Sequence, residues 1–571
     1  MSAASTAVRS LLASLYGADR AGALTARIQQ LIRDSGISKR PAYGLSQRDV
    51  VAIAYGDHVR KEGEPPLVTL RELLKATYGE QINTVHVLPF YPYTSDDGFS
   101  VVDYWAVDPK LGTWDDVRAL RAQFRMMFDA VFNHVSVSSA WFQAFLRGEA
   151  PYTDYFITVD PSTDLSLVRR PRTHPLLTPF ETARGIQHVW TTFSADQVDV
   201  NAANPDLMLD LLRALLFYVA QGADLIRLDA IAYLWKEIGT TCIHLPQTHQ
   251  VVQLMRAVLD MAAPDVLIVT ETNVPHDENI SYFGDGTNEA QMVYNFSLPP
   301  LLLHTFRTGD TTRLTAWAGT LERVGGRTTY FNFTASHDGI GVTPARGLLT
   351  DAEIDALVAL ATDHGGRVNY KTDSDGSRSP YELNITYFDA ITHPDVTASD
   401  PQTAVKRFLC AQAIMLAFVG VPGIYFHSLF GSRNWAEGVE QTGHNRTINR
   451  QKLDYDTLLE DIVRPTLIPS MVYFGYRALL DARIAEPAFH PFGGQRVLAV
   501  HSSVFALERT SPDGMHRVIA LFNVSGESVA VALADSGGGW HDLLGGDAPV
   551  HDGASIRLTL APYQSAWLKA R

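Results

Sequence analysis

ADLIRLD, residues 223–229, is an apolar strand-like run that closes on Arg227 and Asp229. VLIVTET (266–272) carries Glu271 near its tip, and YFNFTASHD (330–338) sets Asp338 beside His337. Runs of this kind suit strands buried on both faces, as in a parallel sheet covered by helices. A carboxylate at the C-terminal end of such a strand has no packing reason to be there. In a (β/α)₈ barrel that end is the active face. Any one of the three is as readily a satisfied structural carboxylate; three in the same place on three strands are not.

The alternation continues on either side. Strands are expected at 51–56, 84–90, 126–132, 223–229, 266–271, 292–297, 329–335 and 423–428, with helical segments between them. Eight is the barrel number. The fold class is therefore α/β, a (β/α)₈ TIM barrel with loop-inserted subdomains and a C-terminal antiparallel β domain. An amphipathic helical lead-in is expected over 1–48, the barrel over 49–483 and the β domain over 484–571. Two excursions, at about 136–205 and 339–400, leave from strand C-termini and should overhang the site.

Composition excludes several classes. The 571 residues are 46% hydrophobic with a formal net charge of −15, and no Lys/Arg run stands out, which argues against nucleic acid or an anionic membrane as partner. No stretch is long and apolar enough to span a membrane; the most apolar, FLCAQAIMLAFVGVPGIYF, is broken by Gly420, Pro422 and Gly423. The N-terminus lacks the features of a secretory signal. Cys242 and Cys410 belong to no CxxC or Cys/His pattern, so we expect inert buried thiols, no metal, no cofactor and a cytoplasmic protein, as a possible homo-oligomer.

Two carboxyl groups flanking one bond are the minimum equipment for retaining glycoside chemistry, and they should stand about 5–5.5 Å apart. The motifs make this specific. DAVFNH (129–134), ADLIRLD, Glu271-Thr272 and SHD (336–338), in that order, resemble the four signature regions of the α-amylase superfamily, glycoside hydrolase family 13. The resemblance implies Asp229 as nucleophile, Glu271 as general acid/base and Asp338 as the third carboxylate. It also implies Arg227 orienting the nucleophile, with His134 and His337 touching the sugar. An arginine beside Asp229 should favour its charged form, and burial should keep Glu271 protonated.

LPFYPYTSDDGFSVVDY (88–104) resembles the sucrose phosphorylase branch of that superfamily. There the resemblance implies Asp96 on the distal glucose hydroxyls, Phe99 in the same pocket, Phe193 as an aromatic platform, Gln197 as a hydroxyl partner and Tyr233 beside them. Arg446, in GHNRTINR (443–450), should pair with Asp96 and close the far end of a one-glucose pocket. A closed end excludes starch. Asn133 is a calcium ligand in some amylases, but one Asn cannot make a site that needs six to eight oxygens.

Several loops resemble members of the branch whose acceptor is glycerate: 170–180, 235–250, 270–286 and 377–384. The implied reaction is reversible phosphorolysis of 2-O-α-glucosyl-glycerate to α-glucose 1-phosphate and glycerate. Glycerate and phosphate, both anions, would alternate in a donor-rich site. Arg170, Arg172, His174, His244, Arg346, Lys371 and Arg378 are its candidate donors, though a solvated loop cation is the commoner case. The alternatives are phosphorolysis of sucrose, sucrose 6′-phosphate or glucosylglycerol, a retaining α-glucosidase, and a non-catalytic carbohydrate-binding barrel. Small-molecule substrates are the expected partners in every reading.

Overall fold

The computed structural model describes residues 3–38, 43–373, 376–534, 539–551 and 555–570. Eight parallel strands close into a barrel in chain order: β1 Val51–Ala54, β2 Thr84–Val87, β3 Arg125–Val131, β4 Ala223–Asp229, β5 Leu267–Thr270, β6 Met292–Tyr294, β7 Thr329–Asn332 and β8 Val421–Tyr425. β1 pairs with both β2 and β8, which completes the ring. Nearly every strand residue is buried, as side chains filling a barrel interior on one side and meeting helices on the other must be.

All eight expected strands are present, mostly shorter than their apolar runs. The last is displaced: β8 begins at Val421, and residues 426–428, expected as strand, belong to a helical turn, Phe426–Leu429. Pro422 sits inside β8, and beside it a Cβ on Gly423 would fall 2.4 Å from the Phe331 ring, so that position needs a glycine.

The first excursion folds as a helix, Ala140–Leu146, a hairpin of Leu177–Thr182 with Gly185–Trp190, and a two-stranded ladder of His134–Ser136 with Gln197–Asp199. The second carries a helix, Asp351–Asp363, and a hairpin of Arg367–Thr372 with Arg378–Asn384. Two N-terminal helices, Ala3–Tyr16 and Ala18–Asp34, lie against the barrel's helical layer. There the Tyr16 hydroxyl donates to the Ala202 carbonyl at 2.9 Å and Arg27 pairs with Asp206 at 2.6 Å.

From Gly494 the chain builds antiparallel sheets. Their alternation divides the work. Phe505, Leu507, Val518, Ala520 and Phe522 join the main core, while Val504, Ala506, Ile519 and Leu521 form a second core with Trp540 and Leu568. Among the described residues no helix is long and apolar enough to cross a membrane.

Candidate active site

The registers of β3, β4 and β5 assemble the site. Asp129 lies opposite Arg227 and Val131 opposite Asp229 across β3 and β4. β5 pairs with β4 up to Thr270 opposite Leu228, and the Glu271 amide then donates to the Leu228 carbonyl at 3.2 Å. That one extra ladder bond brings Glu271 out of the barrel next to Asp229, the last residue of β4. Asp338 departs from the expected pattern: it stands six residues beyond β7, in the loop that follows the strand.

One pocket at this face is lined by Asp229, Glu271 and Asp338 together with Asp96, Phe99, His134, Phe193, Gln197, Tyr233, His337 and Arg446. Arg227 lies beneath it, its guanidinium 3.0 Å from Asp229 and 3.8 Å from Glu271, with a tighter bond to buried Asp129. Asp129 in turn contacts His86 at 2.6 Å. The His337 ring stacks on Phe99 at 4.6 Å, and Phe193 stands between His134 at 5.3 Å and Tyr233 at 5.4 Å. Gln197 is turned partly inward: its amide nitrogen donates to the Phe99 carbonyl at 3.2 Å and its oxygen accepts from Ser194 at 2.8 Å.

The three carboxyls are tuned apart. Burial raises the pKa of Glu271; Arg227 opposes this and Asp338 adds to it. Burial also raises Asp229 well above the ordinary range, against Arg227 and with the help of Glu271, Asp129 and Asp338. Arg227 does favour the charged form of Asp229, as expected, but it is outweighed. The guanidinium is already committed to Asp129, so desolvation and three nearby carboxylates win. Asp229 feels the charge of Glu271, so proton uptake at the site belongs to the pair. The shorter contact to Arg227 favours the anion on Asp229 and the proton on Glu271. Asp338 goes the other way: burial would raise it, but Arg446, Arg450 and Arg227 outweigh that and hold it low. His337 is kept neutral by burial and by the same arginines.

At the distal end the expected Asp96–Arg446 pair is a looser contact, 3.8 Å, than sequence reading implied. Arg446 is gripped by Glu382 through Nε at 2.8 Å and Nη2 at 2.9 Å, and its Nη1 meets Asp338 at 2.6 Å. A guanidinium has five donors and serves several carboxylates at once. Arg450 completes the cluster: it donates to Asp97 at 2.7 Å and to the His337 carbonyl at 2.8 Å, and lies 3.8 Å from Asp96. The Asp96-Asp97-Gly98 turn runs at φ 51°, 47° and 111°, a strained backbone that this cluster holds in place. Sequence reasoning missed Asp129, Glu382, Arg450 and the pocket-lining Tyr381. Each lies within a segment that carried the resemblance, but nothing local in those segments announces a partner.

The acceptor-side candidates separate. Arg172 lines the inner pocket, its guanidinium 5.2 Å from the Tyr381 ring and 5.8 Å from that of Phe193. Arg170, Arg346 and Lys371 line an adjoining outer cavity instead, which shares Tyr233, Asn273, Val274 and Tyr381 with the inner pocket. His244 is turned to Glu278 at 3.2 Å and to the Tyr282 hydroxyl at 3.0 Å, with its pKa pushed down to about 4 by burial. His174 is bonded to the Thr191 carbonyl at 2.8 Å, and Arg378 is exposed.

Comparison with known proteins then fixes the lineage. The family model for the α-amylase catalytic domain matches residues 77–339. A glucosylglycerate phosphorylase of Spirochaeta thermophila is 55% identical over 84% of this chain and 81% of its own length. One from Allomeiothermus silvanus is 48% identical over 98% of this chain and 97% of its own. This chain belongs to the phosphorylase branch of the α-amylase family. The crystal structure of sucrose 6F-phosphate phosphorylase from Thermoanaerobacter thermosaccharolyticum shares the family fold, with a TM-score of 0.74 at 22% identity over 91% of this chain and all of that one.

Asn133, the position that ligates calcium in some family members, is engaged by a side-chain cation. Its oxygen accepts from the Lys236 ammonium at 2.8 Å, its amide donates to Asp199 at 3.0 Å, and Lys236, its side chain all but covered, pairs with buried Asp199 at 2.6 Å.

Proposed function

We propose that this protein is a glucosylglycerate phosphorylase, which converts 2-O-α-D-glucosyl-D-glycerate and phosphate reversibly into α-D-glucose 1-phosphate and D-glycerate. The observation that carries the reading is Arg172. A site dominated by three carboxylates has one guanidinium on its open side, seated against Phe193 and Tyr381. A neutral leaving group has no use for it, whereas a carboxylate or phosphate gains a charge-assisted contact there. The names of the relatives at 48–55% identity support the same acceptor.

The chemistry follows the retaining course. The Asp229 carboxylate attacks the anomeric carbon while Glu271 gives its proton to the departing glycerate oxygen, leaving a β-glucosyl ester on Asp229. Phosphate then enters beside Arg172 and attacks from the opposite face, with Glu271 taking the phosphate proton, and α-glucose 1-phosphate leaves with its configuration retained. Asp338, held anionic by Arg446 and Arg450, stabilises the cationic sugar in both steps. Asp96, with Glu382-braced Arg446 behind it, reads the distal hydroxyls, and His134, His337, Phe99, Phe193, Gln197 and Tyr233 enclose the ring.

The test supplies α-glucose 1-phosphate with D-glycerate, fructose, fructose 6-phosphate or glycerol and measures phosphate release. Glycerate should be used with the highest kcat/KM. Equal or better use of a neutral acceptor would overturn the assignment, and a β-configured sugar phosphate product would overturn the mechanism.

A further inference from the structure

The outer cavity has a volume of about 480 Å³ and opens onto the catalytic pocket past Tyr233 and Tyr381. Four cations line it, Arg169, Arg170, Arg346 and Lys371, against two carboxylates, Glu278 and Asp373. Those two are spoken for: Glu278 accepts from Arg169 at 2.8 Å, and Asp373 pairs with Lys371 at 3.1 Å. Arg170 is bonded to the His174 carbonyl and, among the described residues, to no acid. Arg346 has a single ion pair among the described residues, 3.6 Å to Asp351, a side chain 91% exposed and so strongly screened. Its Nε, and the neighbouring Thr343 hydroxyl, are buried without a hydrogen-bond partner among the described residues. Cations in a cavity beside aromatic walls, Arg170 paired with no acid among the described residues and Arg346 with only a screened one and a free Nε donor, have the make-up of an anion site.

We propose that this cavity is a second binding site, for inorganic phosphate, distinct from the Arg172 position in the inner pocket. Arg346 and Arg170 would hold the dianion, with the Thr343 hydroxyl and Lys371 as further donors. The site answers a difficulty in the reaction. The protein carries a net charge of −15, so a phosphate dianion approaches it against the overall field. A cavity with excess positive charge at the mouth of the pocket concentrates phosphate where it is consumed. This inference rests on the reading of the enzyme as a phosphorylase, but not on the identity of its acceptor.

Calorimetric titration of the full, sugar-free chain with inorganic phosphate at low ionic strength tests it. Two binding events are expected, the outer one weakening the more steeply as salt is added. Arg346→Gln with Lys371→Gln should weaken one event at least about tenfold, the scale of losing a charge-assisted contact, and Arg172→Gln should weaken the other. Arg346→Lys keeps the charge and should retain the outer event, which separates lost charge from lost structure. A single phosphate per chain, or a second event that survives the double substitution, overturns the proposal. No sugar or glycerate is present, so failure here is distinct from failure of the acceptor assignment.

Discussion

The two ends of the substrate path are built from opposite materials. At the closed end, Glu382 and Arg450 are buried, Arg446 nearly so, and each charge has named partners at 2.6–2.9 Å. At the open end, Arg170, Arg346 and Lys371 hang from the two excursions and are only partly covered. A buried charge network is costly to leave half satisfied, so it holds one geometry and reads one set of hydroxyls. Half-exposed cations on loops hold an anion by charge and adapt to its shape. On the proposed function, this contrast predicts a protein strict about the glucosyl unit and tolerant about what attacks it.

The largest effect separates chemistry from both ends. Asp229→Ala should lose activity by about 10⁴-fold or more, on the scale of removing a covalent nucleophile, and no glucosyl-enzyme should form when the variant is mixed with donor and trapped by denaturation. If a covalent adduct still appears on the protein, the nucleophile is another residue.

The closed end comes next. Glu382→Gln takes from Arg446 the carboxylate that grips it through two nitrogens, leaving Asp338 and the looser Asp96. It should lower kcat/KM for α-glucose 1-phosphate about a hundredfold with every acceptor alike, with a loss of about 3 kcal/mol in stability, the low end for breaking a buried pair, because Asp338 still holds Arg446. Asp96→Ala should share the acceptor-independent pattern with little cost in stability, since Asp96 lies 3.8 Å from both arginines. A change in acceptor preference from either variant would refute the strict-end, tolerant-end division.

What could be read from the sequence follows the same divide. The barrel was legible because a parallel strand buried on both faces must be apolar throughout, and eight such runs are hard to hide. Asp229 and Glu271 were legible because they end such runs. Asp338 was legible only as a motif, being in a loop. Glu382 and Arg450 were not, although both stood in quoted segments. Their partners are 64 and 353 residues away in the chain, and nothing in a local pattern specifies a long-range ion pair. The loop cations were visible as a group, but their division between two chambers depends on how two insertions fold, which no periodicity encodes.

The open end should respond by charge. Arg172→Gln should weaken glycerate about ten- to a hundredfold relative to neutral glycerol, and should weaken use of α-glucose 1-phosphate with both acceptors alike, since its phosphate is placed beside the same guanidinium. Competition between glycerate and glycerol in one reaction reads the ratio directly. A variant that keeps the parent ratio would move the acceptor carboxylate away from Arg172.

The smallest effect lies in the stability of the site itself, where two carboxyls lining one pocket should respond to pH with opposite signs. Glu271 is raised in the folded state, chiefly by burial. The stability tied to it is fully present below the ordinary glutamate value of about 4.3 and is lost as pH rises through its raised folded value. Glu271→Gln cannot ionise and escapes that loss. It should melt on the order of 1–2 °C above the parent at pH 7 and together with it near pH 4. Asp338 is lowered, because three arginines outweigh its burial. Its contribution is present above the ordinary aspartate value of about 3.9 and is lost as pH falls through its lowered folded value. Asp338→Asn should therefore melt below the parent at pH 7, with the gap closing only in strong acid. Thermal melts of the two variants across pH 3.5–8 distinguish a site whose carboxyls are tuned apart from one in which they are equivalent. If both substitutions shift the melting temperature in the same direction at pH 7, the separation of roles between Glu271 and Asp338 loses its electrostatic basis.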